Sequence, residues 1–447
     1  MPEERGVLRA ISWRDCCSWC ILLRTFRLAV SVPLLLWATV GILATSAGWR
    51  VADELFYSDG DANKVPQFSR AFGDARDWPG AQSLPVSLLS PGEAGSDRPS
   101  PAGVLVRNNP MLHVGYRMVA PFGKLFDPAL NLRGFAYCLM VGLWTLLTWA
   151  FFGAAITRIA AIQLACEERV GFWKAFAHTQ QKWVSYFTAP LLPMVGVGLI
   201  VIPMLILGWI MRIPAGVGVL VGGLLWIFVL SGASVMAVLL LGLLFGWPLM
   251  WATIGTEDGD AFDAFARSFA YTFQRPLHYL FYVAVASVLG VLGWLLVQLF
   301  SEAVITLGEW GVSWGAGSAI ITSAVAPDEG ASRLLRVGSG LVGFWVGCIR
   351  TVATAFAYSY FWTAVAAIYL LLRHDVDQTE MDEVSLEEEQ SYGLPPLASD
   401  AAGVPGVADE EGESQTQPAG NDPPPEDTSG DSAAADRPPD EAESDQS

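Results

Sequence analysis

The residues able to do chemistry are few and far apart in this chain. Cys17 and Cys20 form a lone C-x-x-C. A zinc site wants four ligands, and no second Cys or His pair follows at a suitable spacing. The pair reads as reduced thiols beside a membrane, on its cytoplasmic side. The histidines, His113, His178, His278 and His374, do not cluster in sequence. No H-E-x-x-H, P-loop or G-x-S-x-G motif is present. The glycine run 216–223 superficially suggests a nucleotide loop, but it lies inside an apolar stretch without strand–helix context. These observations assign no catalytic, cofactor-binding or metal-ligating residue. They point away from an enzyme and imply no cofactor.

Arg350 is the first candidate functional residue. The apolar segment 337–349 precedes it, and the charge-free segment 351–372 follows. If a helix spans 351–372, Arg350 snorkels to the outer interface. If the helix sits deeper, Arg350 faces the bundle, opposite Glu302 or Glu309. Arg158 and Arg212 fall at the edges of apolar runs. No Asp, Glu or His sits centrally in a run, which counts against a proton-coupled pump.

The other candidates come from two similar segments. One runs Glu168 … Trp173-Lys174-Ala175-Phe176-Ala177-His178-Thr179, and the other Glu257 … Phe262-Asp263-Ala264-Phe265-Ala266-Arg267-Ser268. At an offset of 89, Glu, Ala, Phe and Ala coincide, while Trp pairs with Phe, His with Arg and Thr with Ser. Each segment is amphipathic, with aromatics three to four apart. The plain reading is a pair of interfacial helices from a duplication. The functional reading is a surface gripping lipid headgroups or a protein partner through Trp173, Phe176, Phe262, Phe265 and Arg267, with Arg275 next to the following span. Two intervening spans put both copies on one side, so the repeat is parallel, as in some transporters.

The elements that carry these residues are set by six stretches without Asp, Glu, Lys or Arg: 28–49, 134–157, 183–211, 213–256, 276–301 and 351–372. About 20 apolar residues match a hydrocarbon core of roughly 30 Å. The expected fold is therefore an all-α membrane protein. It is a bundle of six transmembrane helices, over about 28–49, 134–157, 185–211, 216–247, 277–301 and 351–372, with amphipathic interfacial helices. The basic start (Arg5, Arg9, Arg14, Arg24, Arg27) precedes a run too long for a cleavable signal and reads as a signal anchor. Counted over short segments, Lys and Arg favour both termini in the cytoplasm. They are edge anchors and imply no nucleic acid. Trp49, Trp183, Trp209, Trp247 and Trp251 near span ends suit an interfacial belt.

Four segments leave alternatives. The 213–256 run exceeds one span. It is either one long helix with an extension or a hairpin turning at Ser231-Gly232-Ala233-Ser234, and the charge bias favours the former. The outer loop 50–133 has a flexible Ser/Pro/Gly-rich middle at 81–110. It ends in Met111–Phe126, whose recurrence suits a helix lying on the bilayer. Gly311–Ala326 is either an outer-surface helix or re-entrant. Pairs at Gly218/Gly222, Gly242/Gly246 and Gly343/Gly347 suit close helix packing.

The net charge of −18 belongs to one region. Residues 374–447 hold 22 Asp and Glu against Arg437 alone, and the remainder nets +3. That tail is expected to be a disordered cytoplasmic segment.

The stretch Trp247-Pro248-Leu249-Met250-Trp251-Ala252-Thr253, with Phe262-Asp263-Ala264-Phe265, Arg267-Ser268 and Gln274-Arg275-Pro276-Leu277-His278-Tyr279-Leu280, resembles a group of uncharacterised multi-spanning bacterial inner-membrane proteins. So does the ending Tyr369-Leu370-Leu371-Leu372-Arg373 … Asp375-Val376-Asp377 … Thr379-Glu380-Met381-Asp382-Glu383-Val384. The resemblance covers most of 20–385. More distantly, helix pairs joined by an amphipathic segment are similar to the membrane domain attached to some glycerophosphodiester phosphodiesterases, whose catalytic barrel has no counterpart here. The resemblance implies a bacterial inner-membrane location but no activity and no site residues. The expected function is a non-enzymatic envelope scaffold or accessory protein, in contact with the bilayer and a membrane or cytoplasmic protein partner. The alternative is a transporter or lipid-handling permease.

Overall fold

A computed structural model describes residues 18–56, 68, 109–127, 130–214, 216–325, 330–381 and 384. Among these the chain is all-α, without strands. The acidic tail from 385 onward, the loop segment 81–108 and Cys17 lie outside the described residues. The α-helices are α1 (Ile21–Ala29), α2 (Val32–Phe56), α3 (Pro110–Lys124), α4 (Leu132–Ala165), α5 (Phe172–Thr188) and α6 (Leu191–Ile210). They continue with α7 (Val217–Leu224), α8 (Trp226–Glu257), α9 (Ala261–Gln274), α10 (Pro276–Ala316), α11 (Ser318–Val325) and α12 (Arg333–Asp377).

Six helical segments are long and apolar enough to cross a membrane: α2, α4, α5 with α6, α8, α10 and α12. This is a membrane protein of the expected class. The helices fall into three successive units of four: α1–α4, α5–α8 and α9–α12. Each unit holds an amphipathic helix, a long apolar helix, a shorter helix in the connection and a second long apolar helix. The two segments related by the offset of 89 are therefore the openings of the second and third units. The first unit opens with α1, whose nine residues are too few to carry the pattern in sequence.

The long fourth apolar run resolves without a hairpin at 231–234. Those residues lie within continuous α8, and the chain breaks instead at Leu225. The length of the run has a physical reason. Along α6, Leu192, Val195, Leu199, Ile202, Leu205 and Trp209 are exposed, and along α8 so are Ile227, Val235, Val238, Leu241 and Phe245. Each exposed stretch is about 26 Å long, close to the roughly 30 Å of a hydrocarbon core. From Gly246 to Thr256 the same helix is wholly buried. One part of α8 faces lipid, and the other enters the protein core.

That core is aromatic and centred on α12. Residues 353–372 of this helix are all buried. Ala353, Ala355, Ala357, Ala364, Ala366 and Ala367 admit neighbouring helices, while Phe356, Tyr360, Phe361 and Trp362 fill the space between them. Trp362 stacks on Trp251 with centroids 4.6 Å apart, and Trp149 stacks on Tyr358 at 4.6 Å. A Cβ on Gly153 would sit 2.8 Å from the Trp362 ring and 2.9 Å from Trp251, so only glycine fits there. Buried hydroxyls of Thr157, Thr253, Thr256 and Thr363 bond to carbonyls one turn back, which satisfies them without water.

This core corrects the expected aromatic belt. Trp251 and Trp247 are buried because their rings stack on Trp362 and Phe361, and Trp49 is buried in a second cluster with Phe68 and Tyr137. Trp209, 68 % exposed, stays on the surface.

The segment expected to lie on the bilayer forms α3, and α3 is tucked into the bundle. Asn109 caps it, accepting from the backbone N–H of Met111 and Leu112. Met111, Val114, Arg117 and Met118 are buried against α4, α10 and α12. Glycines make the room. Pro110 and Tyr360 close on Gly290, and Phe122 lies against Gly142. Arg117 sits over the rings of Trp49 and Tyr358, at 5.5 and 5.9 Å. Gly311–Gly315 belong to α10, which runs unbroken to Ala316 and is followed by the short α11.

Candidate functional site

The densest set of ionisable side chains gathers where the ends of α4, α8 and α12 meet α5 and α9. Glu257 closes α8 and is the centre of this polar end. The Tyr369 hydroxyl donates to it at 2.6 Å, Arg373 Nε lies 3.4 Å away, and Arg267 pairs with it directly. Arg267 also bonds Asp263 one turn back, at 3.1 Å. Tyr271 donates to Asp377 and Tyr282 to Asp375, tying α9 and α10 to the end of α12. Burial and then the adjoining Asp377 carboxylate push the Tyr271 phenol above its ordinary range, so it remains a donor.

The next residue, Asp258, takes a left-handed conformation with φ 58° that ends α8. Lys182 Nζ donates to its backbone carbonyl at 2.7 Å and lies 3.4 Å from its carboxylate. His178 Nδ1 is 3.7 Å from the same carboxylate. Arg158 donates to the Gly255 carbonyl at 2.9 Å. Asp260 then caps α9 by accepting from the Asp263 N–H.

The two repeated segments therefore meet at adjacent acids. His178 of α5 reaches Asp258, and the equivalent Arg267 of α9 reaches Glu257. The match extends to the buried faces. Ala175 and Ala264 are fully buried, and Thr179 and Ser268 each bond back to the carbonyl of that alanine. Chemically this is a clamp. Glu257 faces two guanidinium groups and a phenol donor, which ties the end of α8 to α9 and α12.

The remaining candidates divide between exposed and structural positions. Trp173 is 75 % exposed and Phe262 68 % exposed. Phe265 is half-buried between Phe262 and Phe269, and Phe273 extends the stripe along α9. Phe176 is half-buried instead, packed on Phe151 and Trp37. Arg275 is exposed at the break between α9 and α10. Arg350 lies far from this end, in the middle of α12. It pairs bidentately with Glu302 at 3.1 and 3.3 Å, each side chain about 30 % exposed. That pair closes the α10–α12 hairpin, and Glu309 is not its partner.

Sequence reading missed Glu257, Tyr369, Arg373 and Asp377 as one group. Only the doubled Glu-x-x-x-x-aromatic pattern signalled Glu257, and its other partners lie 112 and 116 residues away. Among the described residues, His, Cys, Asp and Glu form no group of three able to hold a metal ion. The four histidines stay apart, and His278 is exposed while His178 is buried.

Comparison with protein-family models, with curated proteins and with solved structures gives no match to this chain.

Proposed function

We propose that this chain is a non-enzymatic scaffold or accessory protein of a bacterial inner membrane. In this reading both termini are cytoplasmic, and the outward faces of α5 and α9 are the surface that docks a protein partner. The observation that carries the reading is a closely packed interior combined with exposed aromatics on the two amphipathic helices that meet at Glu257 and Asp258. Residues 353–372 of α12 are buried among packed rings, and the hydroxyls of Thr354, Ser359, Tyr360 and Thr363 bond to backbone carbonyls. Trp173 and Phe262 are held outward from helices whose opposite faces are locked by Ala175, Thr179, Ala264 and Ser268. Large exposed aromatics on rigid supports are the usual anchors of interfaces. The basic residues near this end, counted by the positive-inside rule, support a cytoplasmic position for it.

The test is quantitative co-purification of the full chain and of a Trp173→Ser/Phe262→Ser variant, with reporter fusions at 262 and 317. The reading expects a specific protein depleted from the variant, and opposite sides for the two fusions. Identical co-purifying proteins, or both fusions on one side, would overturn it. The parallel arrangement of the second and third units supports a permease as the second reading. Flux of a solute in proteoliposomes would establish that reading instead.

A further inference from the structure

The structure holds an apolar cavity of about 260 Å³ between α3, α4, α6 and α8. Its lining runs from the protein core to the lipid-facing surface. Trp149 and Trp251 form the buried end, with Leu146 and Met118 also less than a tenth exposed. Leu244 and Phe126 form the other end and are 52 % and 54 % exposed. Leu244 belongs to the exposed apolar stretch of α8, whose length matches the hydrocarbon core. The cavity therefore opens sideways into the layer that acyl chains occupy, not into water.

We infer that this cavity binds one acyl chain of a bilayer phospholipid, with the chain end against Trp149 and Trp251. Four features commit it to that occupant. The lining is almost entirely hydrocarbon and aromatic ring, which disfavours any polar ligand. The opening lies within the lipid-facing layer, so phospholipid tails are the surrounding solvent. The volume is below the roughly 300–1,000 Å³ of ordinary small-molecule sites and suits a slender chain rather than a ring system. Lys124 follows Gly123 of the lining and ends α3 as an exposed cation, the charge that a phospholipid phosphate would pair with. The site is independent of partner docking at α5 and α9.

The test uses the full chain in nanodiscs containing a phosphatidylcholine with a diazirine at the end of one acyl chain. After illumination, adducts are mapped by peptide mass spectrometry. The expected result is labelling of Met118, Leu146 or Trp149 alongside the lipid-facing Leu199. Two variants fill the space. Leu243→Trp enlarges a lining residue, and Gly123→Leu uses a position where an added Cβ meets nothing within 4 Å. Each is expected to lower the interior adducts about tenfold while Leu199 labelling stays constant, because a side chain that occupies the cavity leaves no room for the acyl chain. Adducts confined to Leu199 and its exposed neighbours would overturn the inference. Interior labelling unchanged in both folded variants would do so too. If neither variant folds, the wild-type map alone decides.

Discussion

Two carboxylates pair with arginines of the same helix, and their surroundings differ. Glu257 and Arg373 are each 11 % exposed, inside a network that includes Tyr369 and Arg267. Glu302 and Arg350 are about three times as exposed and pair with each other. The first pair sits at the foot of the aromatic core, and the second joins two helices whose outer faces carry exposed Leu, Val, Phe and Trp. The lesson is that one half of α12 supports the fold, while the other half is held more loosely and presents surface. Three substitutions sharpen or break this contrast.

Trp251→Ala has the largest expected effect. It removes a fully buried ring stacked on Trp362 and leaves Gly153 facing a void. Thermal unfolding in nanodiscs is expected to show a loss of about 3–5 kcal/mol. A loss below about 1 kcal/mol would mean the aromatic core is not the stabilising centre.

Glu257→Ala comes next. It strips Arg373 and Tyr369 of their acceptor in a nearly closed site. A destabilisation of about 3 kcal/mol is expected, since a buried charge left without its partner is costly. The same assay on the double variant with Arg373→Met is expected to recover part of that loss, because one of the two guanidinium groups that faced the lost carboxylate is gone. No recovery would break the account of the clamp.

Arg350→Ala is expected to cost at most about 1 kcal/mol, because the pair is a third exposed and solvent-screened. A loss as large as that of Glu257→Ala would erase the contrast between the two halves.

The sequence made the six membrane segments legible because a bilayer imposes length and excludes charge, and both are visible without a structure. It did not separate lipid-facing from core-facing residues. The exposed Ile227–Phe245 and the buried Gly246–Thr256 of α8 are equally apolar, so no periodicity marks the boundary at Gly246. The same ambiguity placed Trp49, Trp247 and Trp251 at an interface rather than inside. The role of Glu257 was half legible, through the repeated pattern with Glu168. Its clamp was not, since it is assembled by contacts over more than a hundred residues. Among the candidates, Trp173 and Phe262 turn outward, whereas Arg267 and Phe176 serve packing and the clamp.

The smallest expected change in stability accompanies the most direct test of the docking reading. A photo-crosslinking amino acid is placed at Trp173 and Phe262 on the docking face, and at lipid-facing Leu199 as the control, in the full chain in cells. The fold is expected to tolerate all three, since each side chain is more than half exposed. The account predicts a discrete protein adduct, of the same mass from positions 173 and 262 and absent from 199. Unlabelled protein at both docking positions, or the same adduct from 199, would contradict it.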